Sequence, residues 1–169
     1  VRAQVTGAPF DASTSFGPLA AEQVRRDTHD LVADAVAKGA TVLAGGELPD
    51  GPGWFYPATV LRDVTPEMRI YREECFGPVA CLYRVDSAEE AVERSNDSEF
   101  GLSSSVWTQD DGEAAYFQER IEAGGVFVNG LTASFPQLPF GGVKDSGYGR
   151  ELSALGIREF VNVKTVWRA

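Results

Sequence analysis

The chain has 169 residues, 43% hydrophobic and 24% charged, with 15 Lys+Arg against 25 Asp+Glu and a formal net charge of −10. That length suits one ordinary domain, able to bury about 70% of its unfolded surface without disulfides, and the composition excludes wholesale disorder, a collagen-like fibre and a coiled coil. The negative charge repels phosphate backbones and anionic lipid, so neither nucleic acid nor membrane is an expected partner, and no apolar run approaches the ~20 residues of a membrane span.

Residues 1–17 read as an irregular lead-in punctuated by Gly7, Pro9 and the Gly17-Pro18 pair, with Pro18 suited to the first turn of a helix. Val24, Leu31, Val32, Ala35 and Val36 recur at helical spacing and predict a helix over Ala20–Lys38, stopped by Gly39. Thr41 to Ala44 predicts a short strand closed by Gly45-Gly46. A Gly/Pro-rich loop over 49–53 leads to an extended stretch from Trp54 to Val60, and Thr65-Pro66-Glu67 marks a turn. The dense apolar run from Pro78 to Val85 predicts a buried strand. Ser87 and Glu90, three apart, form a capping box for a short helix ending at Asn96. A strand over Leu102–Thr108, a helix over Glu113–Ala123 ended by Gly124-Gly125, and a strand over Val126–Val128 follow. A glycine-rich loop over 130–149 then leads to a helix over Glu151–Phe160. Val161, Val163, Thr165 and Trp167 alternate with polar residues, which predicts a last, half-buried strand over Val161–Trp167 without an evident local partner. Alternating strands and helices imply an α/β fold with a largely parallel sheet flanked by helices.

Complete chemical motifs are scarce. Gly142 to Gly147 has the spacing of a phosphate loop, but Tyr148-Gly149 stand where Lys-Ser/Thr belong, and a dinucleotide pattern begun at Gly147 fails at Leu152. A tight turn before a helix is the plainer reading. Cys75 and Cys81 form neither a disulfide framework nor a CxxC pair and read as small buried hydrophobes in a reducing compartment. The single histidine, His29, excludes a multi-His metal site and reads as a solvated surface residue, so no Ser-His-Asp or Cys-His relay can be assembled. Asp110-Asp111 and Glu89-Glu90 read as helix starts, Ser103-Ser104-Ser105 have no base near them, and the sequon Asn96-Asp97-Ser98 reads as chance. The segment from Tyr71 to Pro78 is less ordinary: Glu73, Glu74 and Phe76 place two carboxylates and a ring before a strand. A carboxylate can accept hydrogen bonds from a ribose diol and a ring can pack on a planar cofactor; a solvated acidic turn with Phe76 in the core is the simpler alternative.

The run Glu73-Glu74-Cys75-Phe76-Gly77-Pro78-Val79 resembles the E-E-x-F-G-P-V motif of NAD(P)-dependent aldehyde dehydrogenases. The run from Leu138 through Pro139-Phe140-Gly141-Gly142-Val143-Lys144 to Ser146-Gly147 and Gly149-Arg150-Glu151 resembles that family's P-F-G-G-x-K-x-S-G-x-G-R-E. Pro9-Phe10-Asp11, Gly17-Pro18-Leu19, Lys38-Gly39-Ala40, Gly45-Gly46, Asn96, Phe100-Gly101-Leu102 and Gly125 to Asn129 fit the same template in order, so the resemblance spans essentially the whole chain. It implies the aldehyde dehydrogenase catalytic fold, with NAD or NADP as cofactor and a small-molecule aldehyde as substrate. It also implies a cytoplasmic homo-oligomer, dimer or tetramer, joined through Val161–Trp167. Residues 1–160 would be a partial catalytic domain and 161–169 the oligomerisation strand.

By that resemblance Glu74 accepts from the nicotinamide ribose hydroxyls, Phe76 packs near the nicotinamide, and Phe140 lines the aldehyde pocket. The stretch from Asn129 to Trp167 looks most like succinate-semialdehyde dehydrogenases, in which a Ser six residues before the motif's Phe helps bind the substrate carboxylate; Ser134 holds that place. The family's nucleophilic Cys, general-base Glu, oxyanion Asn and Rossmann domain all precede the matched segment, and neither Cys75 nor Cys81 aligns with the nucleophile. The sequence also opens on Val1. A fragment of a longer enzyme, inactive and poorly soluble alone, is therefore expected. The alternative is a catalytically inactive stand-alone module that associates with a complete dehydrogenase or another partner.

Overall fold

In a computed structural model residues 1–169 fold into two compact units, Val1–Arg84 and Val85–Ala169. The first is built on the helix α1 (Glu22–Ala37) and the strands β1 (Thr41–Ala44), β2 (Thr59–Arg62) and β3 (Val79–Leu82). The inward face of α1 is Thr28, Leu31, Val32 and Ala35, spaced i, i+3, i+4, i+7 as one helical stripe requires. Three of these are the expected hydrophobes; Thr28 takes the fourth place, while Val36 faces out. The helix starts at Glu22, so Pro18 lies outside it, and the Leu19 N–H donates instead to the Trp54 carbonyl at 2.9 Å.

β2 is the central strand, antiparallel to β1 (Thr41 opposite Arg62, with a bulge before Ala44) and parallel to β3 (Thr59 opposite Val79 through Arg62 opposite Leu82). A parallel pair needs a long crossover. Residues 63–78 supply it, through a short 3-10 turn at Arg69–Tyr71. Asp34 near the end of α1 fastens this crossover, accepting from the Arg69 N–H at 2.9 Å and from Lys38 Nζ at 3.0 Å. The core is Leu31, Val32, Ala35, Ala40, Tyr56, Leu61, Val64, Met68 and Ile70.

The second unit holds α2 (Ala88–Asn96), β4 (Phe100–Gly101), β5 (Ser103–Val106), α3 (Asp111–Arg120), β6 (Gly125–Val128), β7 (Val143–Lys144) and α4 (Ser153–Arg158). β5 and β6 are parallel with α3 between them, and β4 pairs antiparallel with β7. Ser87 caps α2 by accepting from the Glu90 N–H at 3.1 Å. Glu90 Oε2 accepts from the Asp86 N–H at 3.0 Å, one residue upstream of the donor a reciprocal box would use. Asp110 caps α3 through the Glu113 N–H at 2.9 Å.

Several expectations change. The strands form three small sheets of mixed direction rather than one largely parallel sheet, because the connection over residues 45–58 returns β2 antiparallel beside β1 and β4 meets β7 from 42 residues away in sequence. β3 is shorter than the apolar run around it and half-buried: Val79 and Cys81 turn in, Ala80 and Leu82 out. Residues 161–169 contain no helix or strand. A strand needs a neighbour for its N–H and C=O groups, and none pairs with Val161–Trp167 here; Val163, Val166 and Trp167 are 88%, 74% and 85% exposed. No helix is long and apolar enough to cross a membrane. With these side chains and Phe10, Ile157 and Phe160 also in solvent, the isolated chain should bind a hydrophobic dye with a marked rise in emission under native conditions. Sharp, reversible unfolding without dye binding would contradict that surface.

Candidate functional site

The Glu73–Gly77 segment ends the crossover and enters β3. Arg69 lies one helical turn before Glu73 and grips it with two nitrogens, Nε to Oε1 and Nη2 to Oε2, each at 2.7 Å. That pairing holds the Glu73 carboxyl below its usual range and makes Glu73 structural. Beyond it the chain alternates. Glu74 is exposed, Cys75 turns in, and Phe76 is 70% exposed. Cys75 packs against the core cluster that contains Tyr56. Burial pushes its thiol up, against the pull of the Thr28 hydroxyl and the Gly77 N–H. A thiol so placed is a poor nucleophile. Cys81, half-buried on β3, is raised by the same cause. The alternative that placed Phe76 in the core is overturned: its ring is turned outward because Cys75 occupies the inward position. A carboxylate acceptor and a ring on the same side of a short ribbon fit a ribose diol and a planar heterocycle.

His29 is half-buried rather than solvated. Its Nδ1 lies 3.3 Å from the hydroxyl of Tyr56, with the rings edge to face. Tyr56 is almost fully buried, and its hydroxyl, pushed up to about 12 by burial, needs a polar neighbour that His29 provides. No group of three or more His, Cys, Asp or Glu side chains converges into a metal site.

In the second unit Phe140 is fixed by a two-bond bridge: its N–H donates to the Glu151 carbonyl at 2.9 Å and the Glu151 N–H returns to its own at 2.8 Å. Its half-buried ring lines an open groove of about 370 Å³ with Leu102, Tyr148, Arg150, Glu159 and Phe160. The polar residues around Phe140 hold backbone. Lys144 Nζ donates to the Asn96 and Ser98 carbonyls at 2.8 and 3.1 Å and pairs with Glu122 at 2.8 Å, a cation at the C-terminus of α2 where the helix dipole favours one. Ser146 Oγ accepts from the Gly101 N–H at 3.0 Å, and Arg150 Nη1 donates to the Gly142 and Gly149 carbonyls at 2.9 and 2.6 Å. Behind the loop Gly124 meets the Gly141-Gly142 main chain so closely that a side-chain carbon on Gly124 would overlap the Gly141 carbonyl oxygen. Asn96 Nδ2, the atom a glycan would require, already donates to the Arg120 carbonyl at 2.7 Å. Ser134 is exposed on the loop before Phe140 and is not among the groove's lining residues.

Sequence reasoning missed the clamps Lys144, Ser146 and Arg150, and the seat that Thr28 makes beneath Gly77. Helical spacing on α1 carries a signal for the last; the other three stand in the motif around Phe140, but the backbone groups that Lys144 and Ser146 hold lie 48 and 45 residues away in sequence.

The Aldehyde dehydrogenase family model matches residues 1–166. The chain is 71% identical over 163 residues to an aldehyde dehydrogenase of Paenarthrobacter nicotinovorans, covering 96% of this chain and 36% of that protein. It is 54% identical over 165 residues to succinate-semialdehyde dehydrogenase [NADP(+)] 1 of Mycobacterium ulcerans, covering 98% and 36%. Among solved structures, succinic semialdehyde dehydrogenase from Streptococcus pyogenes in complex with NADP+ superposes with a TM-score of 0.93 at 40% identity, covering 99% of this chain and 37% of that one. Betaine aldehyde dehydrogenase from Staphylococcus aureus in complex with NAD+ does so with 0.89 at 36% identity, covering 94% and 32%. The chain thus spans about 36% of the length of the curated relatives it matches.

Because Gly124 has no room for a methyl, Gly124→Ala should destabilise the fold by about 1–3 kcal/mol, and Lys144→Met, which keeps the stem but loses the donors, by about 1–2 kcal/mol. Urea unfolding checks both; unchanged midpoints would show that the loop rests on other contacts.

Proposed function

The chain belongs to the aldehyde dehydrogenase family, and on that premise we propose that it forms the C-terminal part of the catalytic domain of an enzyme that oxidises an aldehyde to a carboxylic acid with NAD(P)+. The observation that carries this reading is the ribbon at Glu74–Phe76, where one carboxylate is left free of Arg69 and an adjacent ring faces the same way. Glu74 accepts hydrogen bonds from the two ribose hydroxyls next to the nicotinamide, and Phe76 limits where the nicotinamide ring can lie. The bound nicotinamide supplies the hydride acceptor. Phe140 forms an apolar wall of the aldehyde pocket, which keeps water from the carbonyl carbon until the acyl group has formed.

The nucleophilic cysteine and its general base come from the polypeptide upstream. There the thiolate adds to the aldehyde to give a thiohemiacetal, which loses hydride and becomes a thioester that water hydrolyses. Neither cysteine of this chain takes that part: both pack against the hydrophobic core of the first unit, and burial raises both thiols. The aldehyde is succinate semialdehyde, a reading supported by the likeness to the succinate-semialdehyde dehydrogenases of M. ulcerans and S. pyogenes. Ser134, on the loop leading to Phe140, contributes a hydroxyl to the substrate's carboxylate.

In the assembled enzyme, residues 1–160 belong to the catalytic domain. Val161–Trp167 pairs with a sheet edge of another subunit in a cytoplasmic homo-oligomer. The exposed, alternating side chains of that segment support this.

In the full-length enzyme Glu74→Gln should raise the KM for NAD(P)+ by about tenfold or more, through loss of a charge-assisted hydrogen bond. Succinate semialdehyde should be turned over faster than an uncharged aldehyde of equal length, and Ser134→Ala should narrow that preference. Unchanged cofactor kinetics in Glu74→Gln would remove the central support of this reading.

A further inference from the structure

Thr28 is 1% exposed, on the inward stripe of a helix whose other inward residues are aliphatic. Its hydroxyl meets no hydrogen-bond geometry, and the one polar group set against it is the weakly accepting Cys75 thiol. A threonine placed so costs desolvation and gains little from its oxygen, so its use here is one of shape. The shape it meets is Gly77. A side-chain carbon on Gly77 would stand 2.5 Å from Thr28 Cγ2, 2.6 Å from its Oγ1 and 3.1 Å from its Cβ. The Gly77 main chain therefore rests directly on the Thr28 side chain. Cys75, two residues earlier, is held from the same side against the core.

Between and beside these two anchors only Glu74 and Phe76 are free to face outward. Inward–outward alternation fixes their direction: if the Gly77 anchor rises, the whole ribbon must rise or twist. The two ends are already tied, one by Arg69 to Glu73 and the other by the parallel ladder that starts at Val79, so displacement concentrates on the two outward residues.

We propose that Thr28 is a positioning residue for the cofactor, whose side chain seats Gly77 and thereby sets the height and aim of Glu74 and Phe76. The inference rests on the reading of those two residues as the nicotinamide-ribose grip. It adds a residue from α1, some 46 positions before Glu74 in sequence, that touches neither cofactor nor aldehyde.

The test is a size-complementation cycle in the full-length enzyme. Cofactor binding is followed by the fluorescence of NAD(P)H, and steady-state kinetics are measured for both substrates. Gly77→Ala adds a methyl that Thr28 cannot accommodate; the Kd for NAD(P)H should rise about tenfold, equivalent to roughly 1.4 kcal/mol, while the KM for the aldehyde changes less than about twofold. Thr28→Ala alone leaves the ribbon without its seat and should weaken cofactor binding by about threefold to tenfold. Combining Thr28→Ala with Gly77→Ala moves the methyl from one side of the contact to the other, and the Kd should return to within about threefold of the parent. Thermal unfolding of each variant separates general destabilisation from loss of grip.

Cofactor affinity unchanged in Thr28→Ala would overturn the inference, and this variant, a plain truncation, remains informative should Gly77→Ala fail to fold. Failure of the double variant to recover would overturn it as well, as would parallel losses in cofactor and aldehyde parameters that simply follow Tm. Glu74→Gln serves as the reference: if that variant binds NAD(P)H normally, the reading of the grip itself has failed, whereas an impaired Glu74→Gln beside a normal Thr28→Ala removes only the role of Thr28.

Discussion

Where Gly124 lies against Gly141 and Gly142, main chain touches main chain with no side chain between, and the loop of the second unit depends on that contact. Apolar burial is sparse in this unit: Val92, Val106 and Ala114 are its buried hydrophobes. A loop of this kind, left to itself, would gain too little from burial to offset the entropy of ordering its residues. Close approach of backbone to backbone allows short hydrogen bonds to reach across, and these take the place that a larger core would fill. Lys144, Ser146 and Arg150 each spend donors or acceptors on main-chain groups of this unit.

The first unit reaches the same end differently. Its core is continuous, and the crossover between β2 and β3 is pinned to α1 by Asp34 and to itself by the Arg69–Glu73 pair. Such exposed pairs contribute little stability individually; their value is geometric. Arg69 chooses Glu73 over its neighbour because residues one helical turn apart stand on one face, and that choice leaves Glu74 free. Two adjacent, chemically identical side chains thus acquire different roles from one turn of backbone.

Much of this was legible in the sequence, and the reasons differ by feature. Both long helices, the Ser87 cap and the order of strands and helices follow from periodicity and from local hydrogen-bonding chemistry. The outward aim of Glu74 and Phe76 was open on the residues alone, since alternation cannot say which set faces inward until the packing of Cys75 is known. Sheet direction was not legible: whether β1 lies antiparallel to β2, or β4 finds β7, depends on contacts distant in sequence. His29 was misread because its partner Tyr56 lies 27 residues away. The last strand is a different case. Its alternation is real, but a ladder needs a second strand, and pattern alone does not supply one.

The motif around Phe140 shows how a signature can be specific without being catalytic. Its glycines have conformations and clearances that other residues could not adopt: Gly147 and Gly149 have φ of 109° and 81°, and Gly142 would collide with Ser146 if it bore a side chain. Its Lys, Ser and Arg are consumed in holding carbonyls and an N–H. What the motif delivers to the groove is two aromatic rings, Phe140 and Tyr148, and the bridge to Glu151 holds the main chain of the first. In its proposed role as a wall beside the reacting carbonyl, Phe140 gains from rigidity more than from chemistry of its own, since a displacement of about an ångström is enough to cost large factors in rate. The same logic runs through the Glu73–Gly77 ribbon: Arg69, Cys75 and Gly77 are fixed so that two side chains have one direction to face. In both places most of the signature is spent on position, and the groups that would touch cofactor or substrate are the few that the clamps leave free.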